Sequence, residues 1–320
     1  MSATEAHAET HTETHTEAHA ETHSEAHAVT HTEAHAETHA EAHAVTHAVT
    51  HAESHTDQPS IARMYDYYLG GRDNYAADRA AAGRAIAAFP AIMVIARTNR
   101  VWMHRATRFL AERGVRQFLD LGTGIPTSPN LHEIAQSVIP GSRVVYVDKD
   151  PVALAQSQHL LNGSPEGRTA FVQADLNDPA SILAAPQLTE ILDLERPVGL
   201  SLNALLHFFP DDQDPGPYAI VEHLLGALAP GSYLALSHVT TDFDPEGIGR
   251  AIDVYRSSGI PAQARGKAEV ERFFADLELV PPGLEVPHRW NADGMAEESR
   301  IAADVTDAEV STYVGLARKP

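Results

Sequence analysis

Gln117-Phe118-Leu119-Asp120-Leu121-Gly122-Thr123-Gly124-Ile125-Pro126-Thr127 is the stretch that decides the fold. A short, largely apolar run ends on an acidic residue and two glycines one residue apart, and a helical pattern follows over 130–138. A strand that breaks on a glycine turn into a helix is the opening unit of an α/β sheet.

Downstream, the unit repeats. Runs of β-forming residues at 143–147, 169–173, 198–202 and 232–237 alternate with helical patterns at 151–161, 178–184 and 217–228. The helices carry Pro, Asp or Ser near their starts and Gly or Pro after their ends. Such alternation implies parallel strands joined by right-handed crossovers, and hence one open, doubly wound, mostly parallel sheet. Two further helices are expected at 245–258 and 267–276, then a Pro-rich strand candidate around Leu284 and a last strand at 312–317. Upstream, Pro59-Ser60 opens a helix over 61–69 that stops at Gly70-Gly71. Asn74 can cap a second, Ala-rich helix ending near Phe89-Pro90, and a third runs over 91–113 to Gly114. The expected organisation is a leader at 1–57, a helical cap at 58–114 and an α/β core at 115–320.

The leader is a tetrapeptide repeat. From His7 to His55 a histidine stands at every fourth residue, thirteen in all, between Ala, Thr, Glu and Val. Nothing in it can build a core, so it is expected to stay solvated and disordered. Imidazoles four apart on a helix can share zinc or nickel, so weak divalent-metal binding is a second expectation for the leader, with no metal expected in the core. Of the net charge of −21, the leader's ten Glu and Asp57 carry −11, leaving −10 on the remainder. That sign repels phosphate backbones and argues against nucleic acid. No Cys occurs, which removes disulfides and thiolate chemistry and fits a reducing compartment. No run of about 18 apolar residues suggests a membrane span, and the acidic N-terminal stretch is unlike a secretory signal; a cytoplasmic location is expected.

Ligands of open α/β sheets bind beyond the carboxyl ends of the strands. Here the first strand ends in Asp120-Leu121-Gly122-Thr123-Gly124, the second in Asp148-Lys149-Asp150, the third in Ala174-Asp175-Leu176 and the fourth in Asn203. Gly122 and Gly124 allow a tight turn and close approach of a ligand to the backbone. Asp148, 26 residues after Gly122, stands where an acidic side chain takes the hydroxyls of a ribose. Asp175 can accept from the amine of an adenine, while Asp150 before Pro151 reads as a helix cap. Pro126-Thr127 replaces the third glycine of a dinucleotide fingerprint, and Asp120 repels phosphate but suits an ammonium. The cofactor these residues select is S-adenosylmethionine. An NAD-linked oxidoreductase is disfavoured by the missing glycine and by the lack of a Tyr-x-x-x-Lys pair; a non-catalytic nucleoside-binding protein stays open.

The sequence resembles class I methyltransferases, and one family closely: the actinobacterial S-adenosylmethionine-dependent methyltransferases formerly grouped as a domain of unknown function. The resemblance spans 59–319 and rests on Pro59-Ser60-Ile61-Ala62-Arg63-Met64-Tyr65-Asp66-Tyr67-Tyr68-Leu69-Gly70-Gly71-Arg72-Asp73-Asn74-Tyr75, Arg97-Thr98-Asn99-Arg100, the 118–127 turn, Val144-Val145-Tyr146-Val147-Asp148 and Leu205-Leu206-His207-Phe208. It implies a seven-stranded, Rossmann-like sheet, a cofactor site on the strand ends and a helical N-terminal lid. Tyr65, Tyr68, Asp73 and Asn74 are expected in that lid, with Arg72 or Arg100 meeting the cofactor carboxylate. His207, just past the fourth strand, is the candidate general base, and His238 a weaker one. A small-molecule acceptor is expected, because acidity and the absence of an Asn-Pro-Pro-Tyr signature speak against nucleic acid.

Overall fold

The computed structural model describes residues 56–157, 164–290 and 305–320, which belong to one compact unit spanning 52–320. The histidine repeat, with the disorder and metal binding expected of it, lies outside the described residues. Among the described residues three helices come first: α1 (Ile61–Tyr68), α2 (Ala76–Ala88) and α3 (Ile92–Glu112). Then follow β1 (Gln117–Leu121), α4 (Leu131–Val138), β2 (Arg143–Asp148), α5 (Pro151–Ser157), β3 (Arg168–Gln173), α6 (Pro179–Ala184), α7 (Pro186–Ile191) and β4 (Gly199–Leu202). The chain continues through α8 (Pro217–Gly226), β5 (Tyr233–Val239), α9 (Pro245–Ser257), α10 (Lys267–Glu271), β6 (Glu278–Leu279), α11 (Asp307–Val310) and β7 (Thr312–Arg318).

The seven strands form one sheet in the order β3-β2-β1-β4-β5-β7-β6. The first five are parallel, and β7 runs antiparallel to both β5 and β6. Alternation of side chains divides the strands between two buried faces. Leu119, Leu121, Val145, Val147, Leu200 and Leu202 enter one cluster, whereas Phe118, Val144 and Tyr146 join Trp102, Leu110 and Trp290 on the other. A sheet covered on both sides requires apolar residues at consecutive positions, which is what these strands carry. The strand order reverses at β1, flanked by β2 and β4, so the crossovers diverge there and leave a crevice at the carboxyl ends.

Several expectations are corrected. The strand expected around Leu284 is reduced to a single bridge between Glu285 and Val314, and β6 lies earlier, at Glu278–Leu279. Pro281 and Pro282 have no N–H to donate, so the pairing cannot continue through them. Asn74 does not cap α2. Tyr75 holds that position, its N–H donating to Asp78 at 2.8 Å, while Asn74 is turned inward to donate to Asp66 at 2.7 Å. The helix expected at 267–276 ends at Glu271 and tightens into a 3₁₀ turn, Arg272–Phe274. The short helices α7 and α11 were not signalled by periodicity, being too brief to show it.

Candidate active site

The turn after β1 is tied to the end of β2. Gly122 and Thr123 N–H groups both donate to the Val147 carbonyl, at 2.8 and 3.2 Å, and Gly124 N–H donates to the Asp148 carboxylate at 2.7 Å. Gly122 and Gly124 both adopt φ of +68°, which a side chain strains against. A Cβ on Gly122 would lie 2.5 Å from the Leu205 side chain, so the close approach of the 203–208 segment depends on that hydrogen.

Asp120 is held from the neighbouring strand: Ser201 Oγ donates to it at 2.6 Å, Asn203 Nδ2 donates to Ser201 at 2.8 Å, and Trp102 Nε1 donates to Asn203 at 2.8 Å. Burial pushes the Asp120 carboxyl up to about 6, against the opposing pull of the Ser201 hydrogen bond and of the Arg100 and Thr123 groups. Burial likewise pushes Asp148 up to about 6, opposed by the N–H groups of Asp150 and Gly124. Thr123 faces the same end of the crevice, its hydroxyl bonding back to the Asp120 carbonyl at 3.0 Å. At the outer rim Lys149 and Asp175 pair at 3.5 Å, both well exposed, and the buried Leu176 supplies an apolar wall beside them. All the strand-end residues singled out by sequence therefore line a crevice of two adjoining chambers, which share Gly122 and Asp148 in their walls.

The residues expected in a lid divide. Tyr65 and Tyr68 line the inner chamber; Tyr65 receives a hydrogen bond from Asn99 Nδ2 at 2.9 Å and donates to the Ala96 carbonyl at 2.9 Å, and the Tyr68 and Tyr255 hydroxyls meet at 3.0 Å. Arg100 also lines it, anchored to the carbonyls of Thr127 and of Pro129, the latter at 2.8 Å. Arg72 and Asp73 are exposed and outside both chambers, with Asp73 accepting from Gln156 at 3.3 Å. The cause lies in the Gly70-Gly71 turn: Gly70 has φ of +82°, and Asp66 fills the space a Gly71 side chain would need. Asn74, buried against Asp66 and the Gly71 carbonyl, braces that turn and does not reach the crevice.

A buried ion cluster escaped the sequence reading. Arg63 Nε meets Asp78 at 2.9 Å and its Nη1 meets Asp150 at 3.1 Å, while Nη2 donates to the Gln58 carbonyl at 2.8 Å. Ser60 N–H bonds Asp78 at 2.9 Å and its hydroxyl bonds Asp150. Asp150 does accept from Val152 N–H as an N-terminal cap would, but its main partners belong to α1. Nothing in the linear pattern pairs residues 63 and 150, which only the fold brings together.

His207 sits on a 3₁₀ turn, Leu206–Phe208, and lines the inner chamber. Its Nδ1 is buried without a hydrogen-bond partner. Burial, aided by the charge of Arg265, pulls this imidazole down to about 3, so it is neutral at pH 7 and a feeble proton acceptor. His238 is fully buried: Arg265 donates to its Nε2 at 2.7 Å, so its proton sits on Nδ1, which donates to the Val239 carbonyl at 2.8 Å. It is a strut, not a site residue. Arg265 also donates to the carbonyls of Leu206 (3.1 Å) and Phe209 (2.8 Å) and pairs with Asp211 at 2.7 Å, fixing the turn that carries His207.

Two desolvated carboxylates and a backbone that comes close because two side chains are absent fit a cationic nucleoside bearing a ribose diol; they do not fit a pyrophosphate. Among the described residues no group of His, Asp or Glu is placed to hold a metal ion. No single helix there is long and apolar enough to cross a membrane. A model of the S-adenosyl methyltransferase family matches residues 47–320. Among solved structures, a DUF574 family protein from Streptomyces avermitilis is 50% identical, with a TM-score of 0.79 over 83% of this chain and 99% of that one. A protein from Thermobifida fusca described as a candidate methyltransferase is 38% identical, with a TM-score of 0.73 over 82% of this chain and 96% of that one. No curated protein sequence matches the chain.

Proposed function

Because the chain belongs to the S-adenosyl methyltransferase family, whose cofactor is S-adenosylmethionine, we propose that it methylates a small-molecule acceptor in the cytoplasm, using the two-chambered crevice. Asp148 takes the ribose hydroxyls, Asp175 and Leu176 take the adenine, and Asp120 with Arg100 takes the amino-acid end. The observation that carries this assignment is the pair of half-buried, desolvated carboxylates, Asp120 and Asp148, on either side of a glycine-hinged turn.

When bound, S-adenosylmethionine supplies an electrophilic methyl group whose transfer removes a positive charge. What remains for the protein is to align the acceptor and to exclude water. Tyr65, Tyr68 and Phe208 close the chamber from the lid side. His207, neutral and held by the Arg265-fixed turn, orients an acceptor hydroxyl or amine through a hydrogen bond; proton removal by the imidazole is a minor part. A cysteine-free composition is the ground for a reducing compartment, and the acidic folded part is the ground for preferring a small molecule to nucleic acid. Calorimetric titration of the full chain with S-adenosylmethionine, S-adenosylhomocysteine and NAD tests the site. The first two saturate and NAD does not, and Asp148→Ala weakens the first two about tenfold or more. Tight NAD binding, or an indifferent Asp148→Ala, would overturn these roles.

A further inference from the structure

The inner chamber extends well past the strand ends. Beyond Asp120 and Gly122 it runs between the end of α2, the start of α3 and one face of α9, where Phe89, Ile92, Ile95, Ile248, Ala251 and Ile252 form its walls. Those residues are part of, or packed on, the hydrophobic cluster that joins α1, α2, α3 and α9, so the space is a gap within an apolar core. A cofactor whose adenosine lies over β2 and β3 and whose amino-acid end meets Asp120 does not need this extension.

The polar inventory of the extension is short. Charged residues line the chamber only at its strand-end side: Arg100, Asp120 and Asp148. The Tyr68 and Tyr255 hydroxyls satisfy each other, and Tyr65 is satisfied by Asn99 and the Ala96 carbonyl. Gln263 is taken up by Asp211, its Nε2 donating at 2.8 Å and its Oε1 accepting from the Asp211 N–H at 2.9 Å. The His207 ring is left: its Nδ1 is sealed off and unpartnered, so Nε2 is the ring atom that an occupant of the chamber can meet. A charge brought into such a space loses its hydration without a counter-ion, which disfavours it strongly, and the depressed basicity of His207 reports the same penalty on a protein group.

Resting on the methyltransferase reading, we infer that the extension is the acceptor subsite and that the acceptor is an uncharged, largely apolar small molecule carrying a single hydroxyl or amine, which it presents toward His207. Size and shape are selected by α9, chiefly through Ala251 and Ile252, and by Phe89; charge is selected against by the lack of any ionic partner there. Phosphorylated metabolites, free amino acids and acidic peptides are excluded on that ground.

The test uses the full chain and two probes of one shape. N-phenyl-1-naphthylamine is neutral, and 1-anilinonaphthalene-8-sulfonate is its sulfonated counterpart. Fluorescence titration in the presence of saturating S-adenosylhomocysteine should give a single saturable site for the neutral probe, with the sulfonate at least about tenfold weaker. Ile252→Trp should weaken the neutral probe about tenfold or more while calorimetry finds S-adenosylhomocysteine affinity within about threefold, which also certifies folding. Ala251→Phe gives a second, independent obstruction with the same expected result. Equal affinity for both probes, or a neutral probe indifferent to both substitutions while S-adenosylhomocysteine binds, would overturn this inference alone. Failure of the wild-type protein to bind S-adenosylhomocysteine would overturn the reading beneath it, and the inference with it.

Discussion

Lowering the pH from 7 to 5 should strip the crevice of its affinity for S-adenosylmethionine, by an amount the structure sets. Asp120 and Asp148 titrate at about 6 because both are desolvated. A group with that value is about 90% ionised at pH 7 and about 10% at pH 5, whereas an ordinary carboxylate near 4 stays ionised across the range. If one ionised carboxylate is needed, apparent affinity falls about tenfold; if both are, about 100-fold, or about 1.4 to 2.8 kcal/mol. The charge of Asp148 adds to the upward push on Asp120, so the two do not ionise independently and the fall lies between those limits. The α-amino group of the ligand stays protonated below pH 7 and adds no opposing trend. The stability of the ligand-free protein should move the other way. Both groups have a folded value raised above the unfolded one, so their contribution is fully present below about pH 4 and is lost as pH rises through about 6. Calorimetry at pH 5, 6 and 7, in buffers of different ionisation heat, measures affinity and protons released together. An affinity flat across that range, or an unaltered profile in the Asp120→Asn, Asp148→Asn double variant, would refute the reasoning.

Other outcomes follow from packing. Gly122→Ala should cost about 3 kcal/mol in urea denaturation, because it joins left-handed strain to a clash with Leu205; a change under about 0.5 kcal/mol would show that the turn relaxes freely. Arg63→Ala leaves Asp78 and Asp150 buried without their cation and should cost about 3–5 kcal/mol, with Arg63→Lys retaining part of that in the same assay. Arg72→Ala should leave S-adenosylmethionine affinity within about twofold by calorimetry, since the side chain faces solvent; a tenfold loss would place it back at the cofactor.

Much of the sheet was legible because local chemistry and tertiary environment agree there. The run Phe118-Leu119-Asp120-Leu121 followed by Gly122 and Gly124 admits one reading, and the observed β1 and its left-handed glycines coincide with it. The strand-end residues were legible for the same reason: the parallel topology places every carboxyl end on one side. What remained hidden depends on pairings distant in sequence. Ser201 looks like an ordinary strand residue until β4 lies beside β1 and its hydroxyl meets Asp120. Arg265, between α9 and α10, gives no sign in the sequence of the partners it takes, and is fully buried because His238 and the carbonyls of Leu206 and Phe209 close around it. Arg72 is the converse case: expected at the cofactor carboxylate, it is carried to the surface by a turn that Asp66 and Asn74 brace.

The Arg63 cluster bears on how such enzymes can be altered. Its acids come from α2 and from the stretch just beyond β2, and its cation from α1, so the amino-terminal helices are not a detachable module. A chimaera that exchanged them for those of a relative, to import a different acceptor preference, would inherit an orphaned Asp150 unless residues 60, 63 and 78 travelled together. Transplanting the α9 positions alone leaves that cooperative joint untouched, and is the gentler route to a new specificity.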